Sequence, residues 1–166
     1  EGYVNTSQFE NKANLLAHYE TTGPEIIQAL PEVEVFIAGI GTGGTLMGVG
    51  EKLREYNPGI RIIGVEPKMG DQLQGLRSLQ EGYIPPLLNM AMLDGRFLVD
   101  TQQAFGSARD LLESEGIFAG VSSGAVLHCA QRVAMRMDRG NIVVVFADGG
   151  WKYLTAGPWR EEMEVR

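Results

Sequence analysis

The stretch Val35–Thr45, reading VFIAGIGTGGT, constrains this chain more than any other segment. A β-branched apolar run ends in a glycine loop, and helix-forming residues follow at Leu46–Tyr56. Gly41, Gly43 and Gly44 lack a Cβ, so the backbone can turn tightly and bring its N–H groups against an anion. Thr42 and Thr45 add hydroxyl donors, and the helix behind the loop points its positive end at the same spot. Glycines also occur at strand-to-helix turns for packing alone. Four of them in six residues (Gly39, Gly41, Gly43, Gly44) beside two threonines favour a phosphate cradle.

The loop by itself leaves open whose phosphate this is. Gly39, Gly41 and Gly44 also satisfy the dinucleotide fingerprint G-x-G-x-x-G. The next predicted strand, Ile60–Val65, ends at Glu66, about 20 residues on, where such a fold places its ribose-binding acid. A nicotinamide cofactor is therefore one reading of the local sequence.

The rest of the chain alternates helices and strands. Thr21–Leu30 reads as a helix with Thr22 as N-cap and Pro24 and Glu25 in its first turn. Strand Val33–Ile40, helix Leu46–Tyr56, the turn Asn57-Pro58-Gly59 and strand Ile60–Val65 follow. Beyond them come a short strand Phe97–Val99, a helix Thr101–Glu113, a short strand Ile117–Gly120, a helix Gly124–Met137 and an apolar strand Ile142–Ala147. Strands that are continuously apolar belong to parallel sheets covered on both faces. The expected fold is an α/β, open, doubly wound parallel sheet. The segment Lys68–Asp94 fits this alternation less well, and connections of its length tend to lie over the ligand crevice.

Composition excludes several function classes. Hydrophobic residues make up 44% and charged residues 21%, the balance of a globular chain. The longest apolar runs are far too short to span a bilayer. A net charge of −7 argues against non-specific nucleic-acid binding. Cys129 is the single cysteine, so no intrachain disulfide forms, and its apolar helical context suits a buried inert thiol. No metal-ligand spacing occurs. Residue 1 is Glu rather than Met, which suggests a processing or cut boundary, and the expected location is cytoplasmic.

Three loops are expected to meet at the carboxyl edge of the sheet: Gly39–Thr45, Ala119–Gly124 and Ala147–Tyr153. At this point the chain resembles a family. GIGTGGTLMGVG, EGIFAGVSSGAV, ADGGWKYLTAG and AHYETTGPEI (Ala17–Ile26) are similar to motifs of the cysteine synthases, pyridoxal-phosphate enzymes of the tryptophan-synthase-β type of fold. The spacing of the four motifs matches as well, from about Gln8 to Gly157. The resemblance displaces the dinucleotide reading and implies that Gly41, Thr42, Gly43, Gly44 and Thr45 form the cup for the pyridoxal 5′-phosphate phosphate. It implies that Ser122 hydrogen-bonds the pyridine nitrogen. A hydroxyl there leaves that nitrogen largely unprotonated and the ring a weaker electron sink, which suits β-elimination. Ser123 is then expected to cap the helix.

Within the family, EPKMGDQLQGLRSLQEGYIPP looks closer to the B-type cysteine synthases. Arg77 matches an arginine that takes the substrate phosphate in relatives using O-phosphoserine, a role suited to its planar fork. A solvated loop arginine is the plainer reading of the same residue, and the choice between O-acetylserine and O-phosphoserine stays open. The resemblance implies that His18 has a structural role near the site, whereas His128, on an apolar helix, is expected to be packed.

The same resemblance assigns the cofactor-carrying lysine and an asparagine loop to an N-terminal half. None of Lys12, Lys52, Lys68 and Lys152 sits in a matching context. Residues 1–166 are therefore expected to be a single partial domain, most of the large domain of a protein about twice as long. The chain should hold no catalytic residue and be inactive by itself. The intact enzyme is expected to be a homodimer that makes L-cysteine from an activated serine and a sulfur donor. Cystathionine synthesis, serine/threonine dehydration, or a non-catalytic module for a phosphate ligand or partner protein are the alternatives. The Arg77 region and an ending at Arg166 with no appended regulatory domain lean toward cysteine synthesis.

Overall fold

The computed structural model describes residues 2–155, so Ala156 and Gly157 of the ADGGWKYLTAG motif lie outside the described residues. Helices α1 (Ala13–Glu20) and α2 (Thr22–Ala29) lead into β1 (Val33–Gly39) and α3 (Gly44–Tyr56). Strands β2 (Arg61–Pro67) and β3 (Gly95–Val99) follow, then α4 (Thr101–Glu115), α5 (Val121–Ala134) and β4 (Asn141–Val144). The four strands pair in parallel in the order β3-β2-β1-β4.

Strand β1 shows why both faces must be covered. A register shift between Val33 and Val35 puts Val33, Phe36 and Ala38 on one face with Leu46, Val49 and Leu53 of α3. Val35 and Ile37 face the other way, onto Ala104 of α4 and Ala125, Val126 and Cys129 of α5. Leu15 of α1 and Ile26 of α2 complete the first face. Side chains alternating across a strand with apolar groups on both sides need a helical layer on each side. The doubly wound α/β sheet expected from sequence is the observed fold. The helix pairs pack closely: a Cβ on Gly124 would run into the Ala104 carbonyl, and one on Gly48 into the Leu15 carbonyl.

Several local expectations are corrected. Helix α1 went unread because it is short and buries no residue completely. Thr22 is the first residue of α2 and does not cap it; its hydroxyl pairs instead with His18 Nδ1 at 3.0 Å. Residues 117–120 are not a sheet strand. They form one antiparallel bridge, Ala119 with Gly149, and bind the loop after β4 through Gly120 N–Asp148 O (2.9 Å) and Gly150 N–Phe118 O (3.0 Å). Helix α5 begins at Val121, earlier than expected, with Gly120 in the cap position and no side-chain cap bond. Ser123 therefore does not cap; its hydroxyl is buried without a partner among the described residues.

Candidate functional site

The chain order places a reversal in the sheet. From β1 the chain steps outward to β2 and β3, then returns to add β4 on the other side of β1. Loops leaving the carboxyl ends of β1 and β4 consequently part at that point, opening a crevice where ligands bind in open α/β sheets. A cavity of about 870 Å³ occupies it. All three predicted loops reach this cavity: Gly41–Thr45 after β1, Ser122 at the start of α5, and Ala147, Asp148 and Tyr153 after β4. Residues 71–78 of the segment between β2 and β3 line it as well.

The cup itself is tightly built. Gly43 sits at φ +88°, a left-handed conformation that glycine adopts without penalty, directly before α3. A Cβ on Gly43 would lie 3.2 Å from the Leu88 backbone, one on Gly41 2.9 Å from the Gly75 carbonyl, and one on Gly44 inside the Asn14 amide. The Thr42 hydroxyl accepts from Gly44 N at 3.2 Å and from Asn14 Nδ2 at 2.9 Å, which fixes the loop. Thr45 Oγ1 lies 3.0 Å from His18 Nε2, so the His18 ring bridges Thr22 and Thr45 through its two nitrogens. Burial holds the His18 pKa below its ordinary value. Asn14 was not read as a site residue; no local pattern marks it, because its contact spans from α1 to the β1 loop.

The other side chains surround the cup. Ser122 is buried on the cavity wall, with its hydroxyl beside Gly75. Arg77 reaches the same cavity, its guanidinium 5.0 Å from the Phe9 ring and 5.5 Å from the Tyr83 ring. Its backbone N–H donates to Ile40 O at 2.8 Å, tying the segment to the end of β1. Tyr153 donates to Asp148 Oδ2 at 2.6 Å, and burial followed by this carboxylate pushes its pKa up to about 12. Lys152, the one lysine on the cavity wall among the described residues, lies 3.6 Å from the same oxygen. Glu66 lies outside the cavity. It is fully buried and bound to Arg96 and Leu79 N, so it offers no ribose contact. His128 and Cys129 are packing residues in α5, and burial pushes the Cys129 thiol up to about 12.

Residues 1–148 match the family described as pyridoxal-phosphate dependent enzyme. The chain belongs to that family. Among its relatives, this pyridoxal-phosphate dependent chain is 42% identical over 161 residues to a cysteine synthase of Aquifex aeolicus, covering 93% of the chain and 49% of the relative. It is 39% identical over 164 residues to a cysteine synthase of Staphylococcus aureus, covering 93% and 53%. The chain thus spans about half the length of the curated relatives it matches. A hydrogen sulfide-producing enzyme from Fusobacterium nucleatum superposes with a TM-score of 0.87 at 36% identity, over 93% of this chain and 56% of that one. An O-acetylserine sulfhydrylase isoform from Entamoeba histolytica superposes at 0.86 and 29% identity, over 93% and 49%.

The residues present fit the phosphate of the family's cofactor. Three positions at the loop crowd any Cβ, and the loop ends on the N-terminus of a 13-residue helix. The first amides of a helix and its dipole favour a dianion there.

Proposed function

We propose that residues 1–166 form most of the cofactor-binding domain of a cysteine synthase, which makes L-cysteine by β-replacement on O-acetylserine or O-phosphoserine. The carrying observation is that the β1–α3 cup and Ser122 face one crevice at the sheet's switch point. Gly41, Thr42, Gly43, Gly44 and Thr45 would hold the pyridoxal 5′-phosphate phosphate, and Ser122 would face the ring nitrogen. The cofactor's chemistry is that of an electron sink at the substrate's α-carbon. A serine hydroxyl at the nitrogen makes that sink a moderate one, enough for departure of a good leaving group from the β-carbon.

The protein's own groups then have defined tasks. The cup anchors one end of the cofactor and thereby orients the ring face. Asn14 and His18 fix the two threonine hydroxyls. Arg77 waits at the rim, where its fork would pair with an anionic leaving group. The rest of the enzyme, including the lysine that carries the cofactor, would come from a further half. The intact enzyme would act as a cytoplasmic homodimer on a small amino-acid substrate and a sulfur donor.

A sister β-replacement with another nucleophile is the second reading. It is favoured by the likeness to O-ureido-L-serine synthase, with a TM-score of 0.86 at 33% identity. The deciding experiment restores the other half and compares sulfide, homocysteine and hydroxyurea as nucleophiles. Fastest turnover with sulfide supports cysteine synthesis; a preference for either competitor replaces it. Absence of any pyridoxal-phosphate absorbance in the restored protein would leave a non-catalytic module instead.

A further inference from the structure

The segment over the cavity is held from below by a carboxylate that the chemistry above does not use. Glu66, the penultimate residue of β2, has no exposed surface. Its Oε2 accepts the Leu79 N–H at 2.5 Å and its Oε1 accepts Arg96 Nη1 at 3.0 Å. Burying a carboxylate is costly unless it is paired and hydrogen-bonded, and both conditions are met here. Leu79 opens the short turn Leu79–Glu81, whose preceding residue, Ser78, gives no side-chain cap. Glu66 supplies the acceptor from another element.

The two residues before Leu79 are Arg77 and Ser78, and both line the main cavity. Arg77 N is bound to Ile40 O at 2.8 Å. The backbone is thus pinned on each side of Ser78, at Arg77 by Ile40 just past β1 and at Leu79 by Glu66 of β2. The Ser78 hydroxyl is buried and has no hydrogen-bond partner among the described residues. A buried hydroxyl without a partner carries a desolvation cost that a ligand would relieve.

We propose that Glu66 is a positioning residue for the substrate end of the cavity. Its buried carboxylate, paired with Arg96, fixes the Leu79 amide and so presents the neighbouring Arg77 guanidinium to the anionic leaving group. The inference rests on the β-replacement reading and adds the device that sets leaving-group recognition.

Hydrogen exchange resolved to single amides tests it on the whole chain, with inorganic phosphate as probe. In the unaltered protein the Leu79 amide is expected to exchange slowest within residues 76–83. Glu66→Leu should speed exchange there by about tenfold, while amides of β1 and α3 stay within about twofold. Glu66→Gln keeps an acceptor for Leu79 N, lets the half-exposed Arg96 turn to water, and should restore the slow exchange. Phosphate should protect two places, Gly43–Thr45 and Arg77–Ser78, and Glu66→Leu should raise the apparent Kd at the second alone by about fivefold. If Glu66→Leu does not fold, Arg96→Met takes its place, with about threefold faster exchange at residues 77–82 and none elsewhere.

An unprotected Leu79 amide in the unaltered protein overturns the proposal. So do Glu66→Leu and Arg96→Met proteins that exchange as the parent does, or that loosen β1 and α3 as much as the segment. Failure of the β-replacement reading looks different: phosphate would then protect neither place in the unaltered protein, whatever Glu66 does to Leu79.

Discussion

Gly43 concentrates the fold and the proposed site in one backbone conformation. Its φ of +88° strains any side chain, and the Leu88 backbone 3.2 Å from a would-be Cβ would have to give by a few tenths of an ångström. Gly43→Val should cost about 1–2 kcal/mol from the left-handed conformation and more from the clash. It should also remove phosphate protection at Thr45, and full retention of phosphate affinity would discard the cup. His18 gives a pH signature. Burial lowers its folded pKa, and burial followed by the Arg132 charge lowers that of His128. A histidine with a depressed folded pKa adds stability that is present above the unfolded value near 6.5 and is lost as pH falls through the folded value. The Tm should therefore fall between about pH 7.5 and 5.5, and His18→Asn should flatten that slope; an unchanged slope counts against burial of the His18 ring as its cause. The glycines of the loop were legible because a tight turn and close neighbours demand them. Asn14 and Ser78 were not, because their places are set by contacts from distant parts of the chain.

Among the elements, α4 tests how far capping decides stability. Asp100 accepts from Gln103 N at 2.8 Å, and the Gln103 side chain accepts from Asp100 N at 3.1 Å, a reciprocal capping box. The Lys68 ammonium and the Gln103 amide together hold the Asp100 carboxyl below its usual pKa. Asp100→Ala should cost about 1 kcal/mol in urea unfolding, and a change below a few tenths would show the cap to be incidental. The same loss should appear in the unaltered protein as pH falls below the carboxylate's ordinary value, since the depressed group stabilises only while ionised. The sequence signals for β1, β2, α3 and α4 held because each carries its own periodicity and terminator. Residues 117–120 misled because an apolar stretch too short to distinguish strand from loop was read from composition. The run at 142–147 read as one apolar strand of a sheet covered on both faces, yet β4 stops at Val144 and every residue in it is half-buried.

At the scale of the whole molecule, that half-burial carries a prediction. Among the described residues β4 has one neighbour, β1, so its other edge presents backbone donors and acceptors beside an apolar sequence. Met135 (71% exposed) and Trp151 (63%) add uncovered apolar surface. Open strand edges of this kind pair with other chains, and large apolar patches promote association. The chain on its own should therefore self-associate, and mass measurement over a dilution series should show species larger than 18.1 kDa. It should also be inert. Lys52 is engaged with Glu55 and Tyr19, and Lys68 with Asp100, so Lys152 is the one lysine on the cavity wall among the described residues. Its nearest carboxylate oxygen, Asp148 Oδ2, also takes the Tyr153 hydroxyl. None of Lys12, Lys52, Lys68 and Lys152 sits in a context that matches the family's cofactor-carrying segment. Treatment of the chain with pyridoxal phosphate and borohydride, followed by peptide mapping, should find no lysine-linked cofactor in the cavity, and O-acetylserine should not turn over. Specific labelling of Lys152 together with cysteine production would make this chain catalytic without a second half.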